Sequence, residues 1–365
     1  MVSSARPPLL LTNYRGGGIG DFGLTLASHL GSRFPSVETM ETSIDGRHGF
    51  RQAARAAAYR GPLFVNLGLT AWGRSGARNF FGFTAVGAHQ RLGAPTKVIV
   101  HHAIEMFDLS ETGYEVTRLV KAGAHAALRR VRNCELTVFS PRLREILNDQ
   151  YGARHVTLVP FPGDTGRRRV TGMPPGPPKV VHAGYWAPYK GIDRFLEVAE
   201  RLRNHAEFLL VGRPHSALST DPRFRAQVEA WSTQAQRAGV RMTGYLTHDQ
   251  MDMEFSGSTV GLLPYTSVSG ASASFNLFAD RGIPVVTTDL PEFRYLEQQG
   301  AGIHIAPSTG EGLANAVAGI LGDREEWLGL ARRQVEFTAR FSWDRFVDGL
   351  LVGIAGSTRS TAGAS

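Results

Sequence analysis

The chain has 365 residues, 42% of them hydrophobic and 20% charged, which is enough for two domains with a core each. Its 40 Lys and Arg against 32 Asp and Glu give a formal charge of +8, which points to acidic partners such as a nucleoside diphosphate or an anionic membrane surface. A single cysteine, Cys134, excludes an internal disulfide, and the longest apolar runs are too short to span a bilayer, so a cytoplasmic protein with at most a peripheral membrane contact is expected. In chain order, Leu9–Thr12, Val37–Thr39, Leu63–Leu67, Lys97–His101 and Leu136–Phe139 read as strands separated by helix-period segments, followed by an apolar run from Val156. Cys134, just before the last of these strands, reads as a buried thiol. The stretch "FPGDTGRRRVTGMPPGPPK" has linker composition. A second series then follows: Val180–His182, Phe208–Val211, Val240–Thr243, Val260–Leu263, Pro284–Thr287 and Gly302–Ile305. The expectation is an α/β protein of two Rossmann-like, doubly wound domains facing a central cleft. The first covers residues 1–162, a linker 163–178 and the second domain 179–340. A helix in 341–355 packs back on the first domain, and 356–365 are too polar to fold.

In such sheets ligands bind where the strands end, so the strand-to-helix loops hold the candidates. The first is "YRGGGIGDFG". Gly16, Gly17, Gly18 and Gly20 allow close backbone approach to a ligand, and a helix starting near Asp21 would aim free N–H groups at an anion. Gly18-x-Gly20-x-x-Gly23 also matches the dinucleotide fingerprint, with Glu38 or Glu41 at the distance of a ribose-binding acid. A nicotinamide-dependent oxidoreductase is therefore one alternative. In the second half, Lys190-Gly191 opens an amphipathic helix, a position where a lysine is disfavoured by the helix dipole unless an anion sits there. Ser269, Gly270, Ser272 and Ser274 follow a strand and could wrap phosphate oxygens.

The run Gly184-x5-Lys190-Gly191-Ile192-Asp193, the Val211-Gly212 strand end, Thr243-Gly244-Tyr245, the Ser/Gly loop before Gly282-Ile283-Pro284-Val285-Val286-x-Thr288-Asp289 and the closing Phe341-Ser342-Trp343 resemble the retaining, GT-B-fold nucleotide-sugar glycosyltransferases. The resemblance spans roughly residues 8 to 355 and is carried by the order of the pieces. It implies a donor site mainly in the second half: Lys190 on the diphosphate, Tyr245 and Leu246 on the base, with Tyr185, Gly212, Arg213, the serine loop and Asn276 around it. Gly16, Gly17 and Gly18 then face the same diphosphate. The family places a His after the fourth strand, near the reacting sugar. Here that is His101, with His102 in the following Asn/Asp slot, or the same pair shifted by one. With Lys190 these are the implied catalytic residues.

Two family features are missing. Tyr185 stands where an Arg is usual, and no Glu occurs from Pro264 to Pro291, where the family carries a pair. Leaving-group stabilisation then falls on Lys190 and loop N–H groups. Arg15, Asn66, Trp72 and Arg74 are candidates for the acceptor side, Arg15 also as a substitute for the missing cation. No metal is expected, since neither a third ligand nor Asp-x-Asp lies near the histidines. The expected activity is transfer of a sugar, with retention and without a cofactor, from a nucleoside diphosphate-sugar to a glycan, lipid-linked or small-molecule acceptor. A binding protein of the same fold that has lost catalysis is the second alternative. No nucleic-acid partner is expected, because Arg129-Arg130-x-Arg132 and Arg167–Arg169 lack interleaved aromatics.

Overall fold

The structure is a computed structural model that describes residues 6–13, 18–42, 46–68, 76–106, 118–164, 170, 172–215, 218–268 and 271–354. They form two compact units. The first draws on residues up to Met106, Arg118 to Pro160 and Trp343 onward, and the second runs from Phe161 to Ser342.

The first unit contains β1 (Leu9–Thr12), α1 (Gly18–Arg33), β2 (Glu38–Glu41), α2 (Gly46–Ala58), β3 (Leu63–Leu67), α3 (Gly76–Arg91), β4 (Thr96–Val100), α4 (Arg118–Val131), β5 (Glu135–Val138), α5 (Pro141–Tyr151) and β6 (Val156–Leu158). Its six strands are parallel in the order β2-β1-β3-β4-β5-β6. Period-2 alternation sends Leu9, Leu11, Val65 and Val98 to one face, into a core with Phe83, Val86, Ala127 and Leu128 of α3 and α4. Each fully buried aliphatic side chain there contributes about 1.5–3 kcal/mol. Cys134 lies in this core, 1% exposed, and burial pushes its thiol up to about 12.

The second unit contains β7 (Lys179–Ala183), α6 (Ile192–Leu202), β8 (Glu207–Val211), α7 (Pro222–Arg237), β9 (Arg241–Gly244), α8 (His248–Phe255), β10 (Val260–Leu263), α9 (Ala273–Ala279), β11 (Val285–Thr288), α10 (Pro291–Gln298), β12 (Ile303–Ala306), α11 (Gly310–Gly322) and α12 (Arg324–Arg340). Its parallel strands run β12-β11-β10-β7-β8-β9. Two cores, one per face, follow from the alternation: Val180, Leu210, Leu262 and Val286 pack under α6, α7 and α11, while Val181, Leu209, Leu263 and Val285 pack under α9 and α10. Asp221, Thr247, Thr309 and Asp323 cap α7, α8, α11 and α12 with their side chains, each satisfying orphan N–H groups.

A last helix, α13 (Trp343–Leu350), belongs to the first unit and packs on α1, with the Trp343 and Phe22 rings 4.7 Å apart and Arg33 bound to Asp344 and Asp348. The helix start expected near Asp21 is corrected: α1 begins at Gly18, so Gly18, Gly20 and Gly23 are all helical. Gly23 is there for packing: a Cβ would lie 1.8 Å from Thr12 Oγ1 and 2.7 Å from Asn66 Nδ2.

Candidate functional site

In each sheet one pair of neighbouring strands marks where the winding reverses: β1 and β3 in the first, β7 and β10 in the second. Loops leaving the C-terminal ends of such a pair diverge and open a crevice. Most of the predicted residues that the structure describes lie at the C-terminal ends of these strands and their neighbours.

In the second unit, Gly184 and Tyr185 leave β7, Gly212 and Arg213 leave β8, Gly244 ends β9 with Tyr245 just after it, and Tyr265 leaves β10. Gly184 (φ 132°) and Gly212 (φ 125°) lie back to back, so close that a Cβ on Gly212 would sit 1.9 Å from the Gly184 carbonyl oxygen. Ser274 fills the space beside Gly184, its Oγ 2.6 Å from where a Cβ would be. Lys190 stands on the short turn before α6. Its ammonium donates to the Tyr265 hydroxyl at 2.8 Å and lies 4.0 Å from that ring's centroid and 5.3 Å from Tyr189's. Among the described residues no carboxylate pairs with it. Burial pulls the ammonium's pKa down, but the two phenols and the hydrogen bond outweigh it, so Lys190 stays charged at neutral pH. Ser272 caps α9 by accepting from Phe275 N–H, and its Oγ lies 3.5 Å from the Tyr265 hydroxyl. Arg213 is exposed, its guanidinium 5.8 Å from the Tyr185 ring and 5.2 Å from the Tyr245 ring, an arrangement of two cation–π contacts. Leu246, next to Tyr245, is partly buried against the core that contains Tyr265.

The crevice therefore offers a cation held by a phenol, a second cation held between two tyrosines, and backbone stripped of Cβ atoms between them. Such a place accepts an anion flanked by a planar ring. Two of its members escaped the sequence reading. Tyr265 lies 75 residues from Lys190. His215 packs edge-on against Tyr185 at 5.5 Å, and burial, then repulsion from Lys190, holds it below the ordinary histidine range. Tyr265 follows Leu263-Pro264 and reads in sequence as the end of an apolar run. Asn276 is placed apart from the others, since its buried amide donates to the carbonyls of Phe161 and Pro162.

In the first unit, His101 and His102 follow β4, whose last residue is Val100 rather than His101. Asn66 is fully buried, and its amide donates to Thr12 Oγ1 and to the Ile19 carbonyl, both at 2.9 Å. Its oxygen therefore faces His101 Nε2 at 2.6 Å, which makes Nε2 the donor and leaves Nδ1 as the acceptor. This corrects the place of Asn66: it holds His101 and does not present its amide to an acceptor. Phe22 and Phe139 close in on the His101 ring at 5.0 and 5.6 Å. Burial, then His102, drives His101 down to about 3, and burial drives His102 to about 4. Both imidazoles are neutral at physiological pH. Gly18 starts α1. Arg15, Gly16, Gly17, Trp72, Arg74, Ser269 and Gly270 lie outside the described residues.

These shifts set a pH dependence that differs between the units. An unfolded histidine titrates near 6.5, so below that pH the unfolded first unit takes up two protons that folded His101 and His102 refuse. Its stability is lost as pH falls from 6.5 towards 4, by about 2.7 kcal/mol per pH unit at the steepest. In the second unit His182, lowered to about 4 chiefly by burial, acts the same way. Asp280, raised to about 7 by burial and then by Asp164, acts oppositely, because its contribution weakens as pH rises from 3.8 through 7. His215, also held low, adds to His182, so Asp280 offsets part of the loss in the second unit. Hydrogen exchange read by mass spectrometry at pH 7 and pH 5 is expected to show protection falling in the first unit and falling less in the second. Equal losses in both would contradict the assignment.

The fold is the two-domain GT-B fold of known glycosyltransferases. HepE of Anabaena, solved in complex with UDP and glucose, superposes with a TM-score of 0.68 at 13% identity, over 95% of this chain and 99% of that one. Sucrose-phosphate synthase of Thermosynechococcus elongatus gives 0.68 at 15% identity over 95% and 98%, and a glycosyltransferase from Rickettsia africae 0.66 at 11% over 96% and 98%. Residues 177–323 match the family described as "Glycosyl transferases group 1", so the second unit carries a divergent group 1 glycosyltransferase domain. No curated protein matches the chain in sequence.

Proposed function

We propose that the protein transfers a sugar from a nucleoside diphosphate-sugar to a glycan, lipid-linked or small-molecule acceptor, with retention at the anomeric carbon and without a metal. The observation that carries this is Lys190, a partly buried ammonium at the switch point of the second sheet that meets a phenol and, among the described residues, no carboxylate. A permanent cation in that setting stabilises the diphosphate as the bond from anomeric carbon to phosphate oxygen breaks and its charge grows. Arg213, between Tyr185 and Tyr245, supplies the second cation that the family places at position 185, and Tyr245 and Leu246 support the base. Neutral His101, fixed by Asn66, acts as a hydrogen-bonding partner of the reacting sugar. HepE was solved with UDP and with UDP-glucose, which makes uridine the first base to try. The glutamates missing before Pro291 favour one alternative, a donor-binding protein without turnover.

Thermal unfolding with UDP, GDP, ADP and NAD tests the proposal. One of the three diphosphates at about a hundred times its Kd is expected to add about 2.7 kcal/mol, and stabilisation by NAD alone rejects it. Release of the diphosphate from its sugar donor, followed in the same preparation, separates the enzyme from the binder.

A further inference from the structure

The +8 charge of the chain is not explained by the donor site. Three helices of the first unit, α2, α3 and α4, lie side by side over one face of its sheet. Together they carry nine Lys and Arg and no Asp or Glu, more positive charge than the whole chain has net. Arg51, Arg55, Arg91, Lys121, Arg129 and Arg130 are all exposed. Arg55 meets Glu38 of the neighbouring strand β2, and Arg130 reaches over the Phe80 ring at 5.1 Å. Among these cations Phe50 of α2 and Phe81 of α3 are 51% and 50% exposed, with their rings 5.6 Å apart.

Sheet packing accounts for the inward sides of these helices, through Ala53, Ala56, Phe83, Val86, Ala127 and Leu128, but gives the outward pair of phenylalanines nothing to do. Two large apolar rings in mutual contact, on helices that carry exposed cations and no acid of their own, combine the two signals of interfacial binding: an apolar wedge and attraction to negative headgroups. We propose that this α2–α4 face docks on an anionic lipid bilayer, with Phe50 and Phe81 entering the headgroup region and the flanking arginines meeting lipid phosphates. Nucleic acid is less well matched, because a single strand uses stacking platforms spaced along a groove, whereas Phe50 and Phe81 form one joined patch. Lipid docking is independent of sugar transfer, since none of these residues belongs to the donor site.

Sedimentation of the full chain with phosphatidylcholine vesicles, with and without about one third phosphatidylglycerol, is the test. The chain is expected to sediment with the anionic vesicles and stay in solution with the neutral ones. Phe50→Ala with Phe81→Ala is expected to weaken the partition about tenfold, and Arg51→Glu with Arg130→Glu about a hundredfold. Circular dichroism checks that the variants fold, and Lys190→Ala is expected to sediment like the parent. Three results would overturn the proposal: no binding to anionic vesicles, binding independent of vesicle charge, or unchanged binding by both double variants. A fourth would hand the face to nucleic acid: tighter binding to a single-stranded RNA oligonucleotide than to vesicles, lost in the same variants.

Discussion

Lys190→Ala is expected to lower kcat/KM for the nucleotide sugar by about 10²–10³-fold, the size of effect seen when one preorganised charge or donor is taken from a leaving group. The physical reason lies in how the ammonium is held. A carboxylate partner would share its charge with the ligand, but the Tyr265 hydroxyl at 2.8 Å and the ring face at 4.0 Å orient it without neutralising it. Such a site costs stability in the empty protein, because among the described residues a partly buried cation lacks an opposite charge. Lys190→Ala should therefore leave the melting temperature of the free protein unchanged or raise it, while abolishing the stabilisation by the diphosphate. A purely structural lysine would do the reverse. Tyr265→Phe keeps the ring and removes the hydroxyl. It should raise KM about five- to tenfold through the loss of one charged hydrogen bond, with kcat less affected. Arginine at position 190 should not restore activity, since a planar guanidinium does not fit where a compact ammonium rests over a phenol. Full turnover in Lys190→Ala removes the lysine from the mechanism.

The strands were legible in the sequence because each is a short β-branched or apolar run between polar turns. Leu9–Thr12, Leu63–Leu67 and Val260–Leu263 agree to the residue, and the others shift by one or two residues at one or both ends. Lys190 was legible for a local reason, a cation at a helix start where the dipole disfavours one. What escaped depends on contacts distant in sequence. Tyr265 meets Lys190 only because β10 pairs with β7 across an intervening α6-β8-α7-β9-α8 excursion, an order that the list of strands does not reveal. Asn66 was misplaced for a related reason. An amide at a strand end reads as a loop residue open to ligand, but Gly23 lets α1 approach until Ile19 and Thr12 take both of its N–H groups. Glycine spacing alone cannot separate a phosphate-binding turn from close helix packing, and here Gly18, Gly20 and Gly23 all belong to the helix.

Gly212→Ala is expected to be the most damaging conservative change in the second unit. Its φ of 125° lies beyond the left-handed helical region, where only glycine is at ease, and the conformational cost for alanine is about 1–3 kcal/mol. To this is added an overlap no rotamer can relieve, because the new Cβ would stand 1.9 Å from the Gly184 oxygen and 2.8 Å from its carbonyl carbon. Backbone must move, and it is backbone that already holds the crevice together through Gly184 N–H to Val211 O, Gly212 N–H to Gly244 O and Trp186 N–H to Arg213 O. Overpacking of this kind costs about a further 1–3 kcal/mol. For a unit of this size each kcal/mol is worth about 2–4 °C, so a fall in the melting transition of roughly 10 °C is expected, together with loss of stabilisation by the diphosphate. Gly239→Ala provides the control. Gly239 also has a positive φ, 70°, but a Cβ there would meet nothing within 4 Å, so only the conformational cost of about 1 kcal/mol applies and diphosphate binding should be unchanged. If both variants lose the same stability, the backbone contact between Gly184 and Gly212 contributes nothing. If Gly212→Ala is the less stable but still binds the diphosphate with parental affinity, the two glycines shape the fold and not the site.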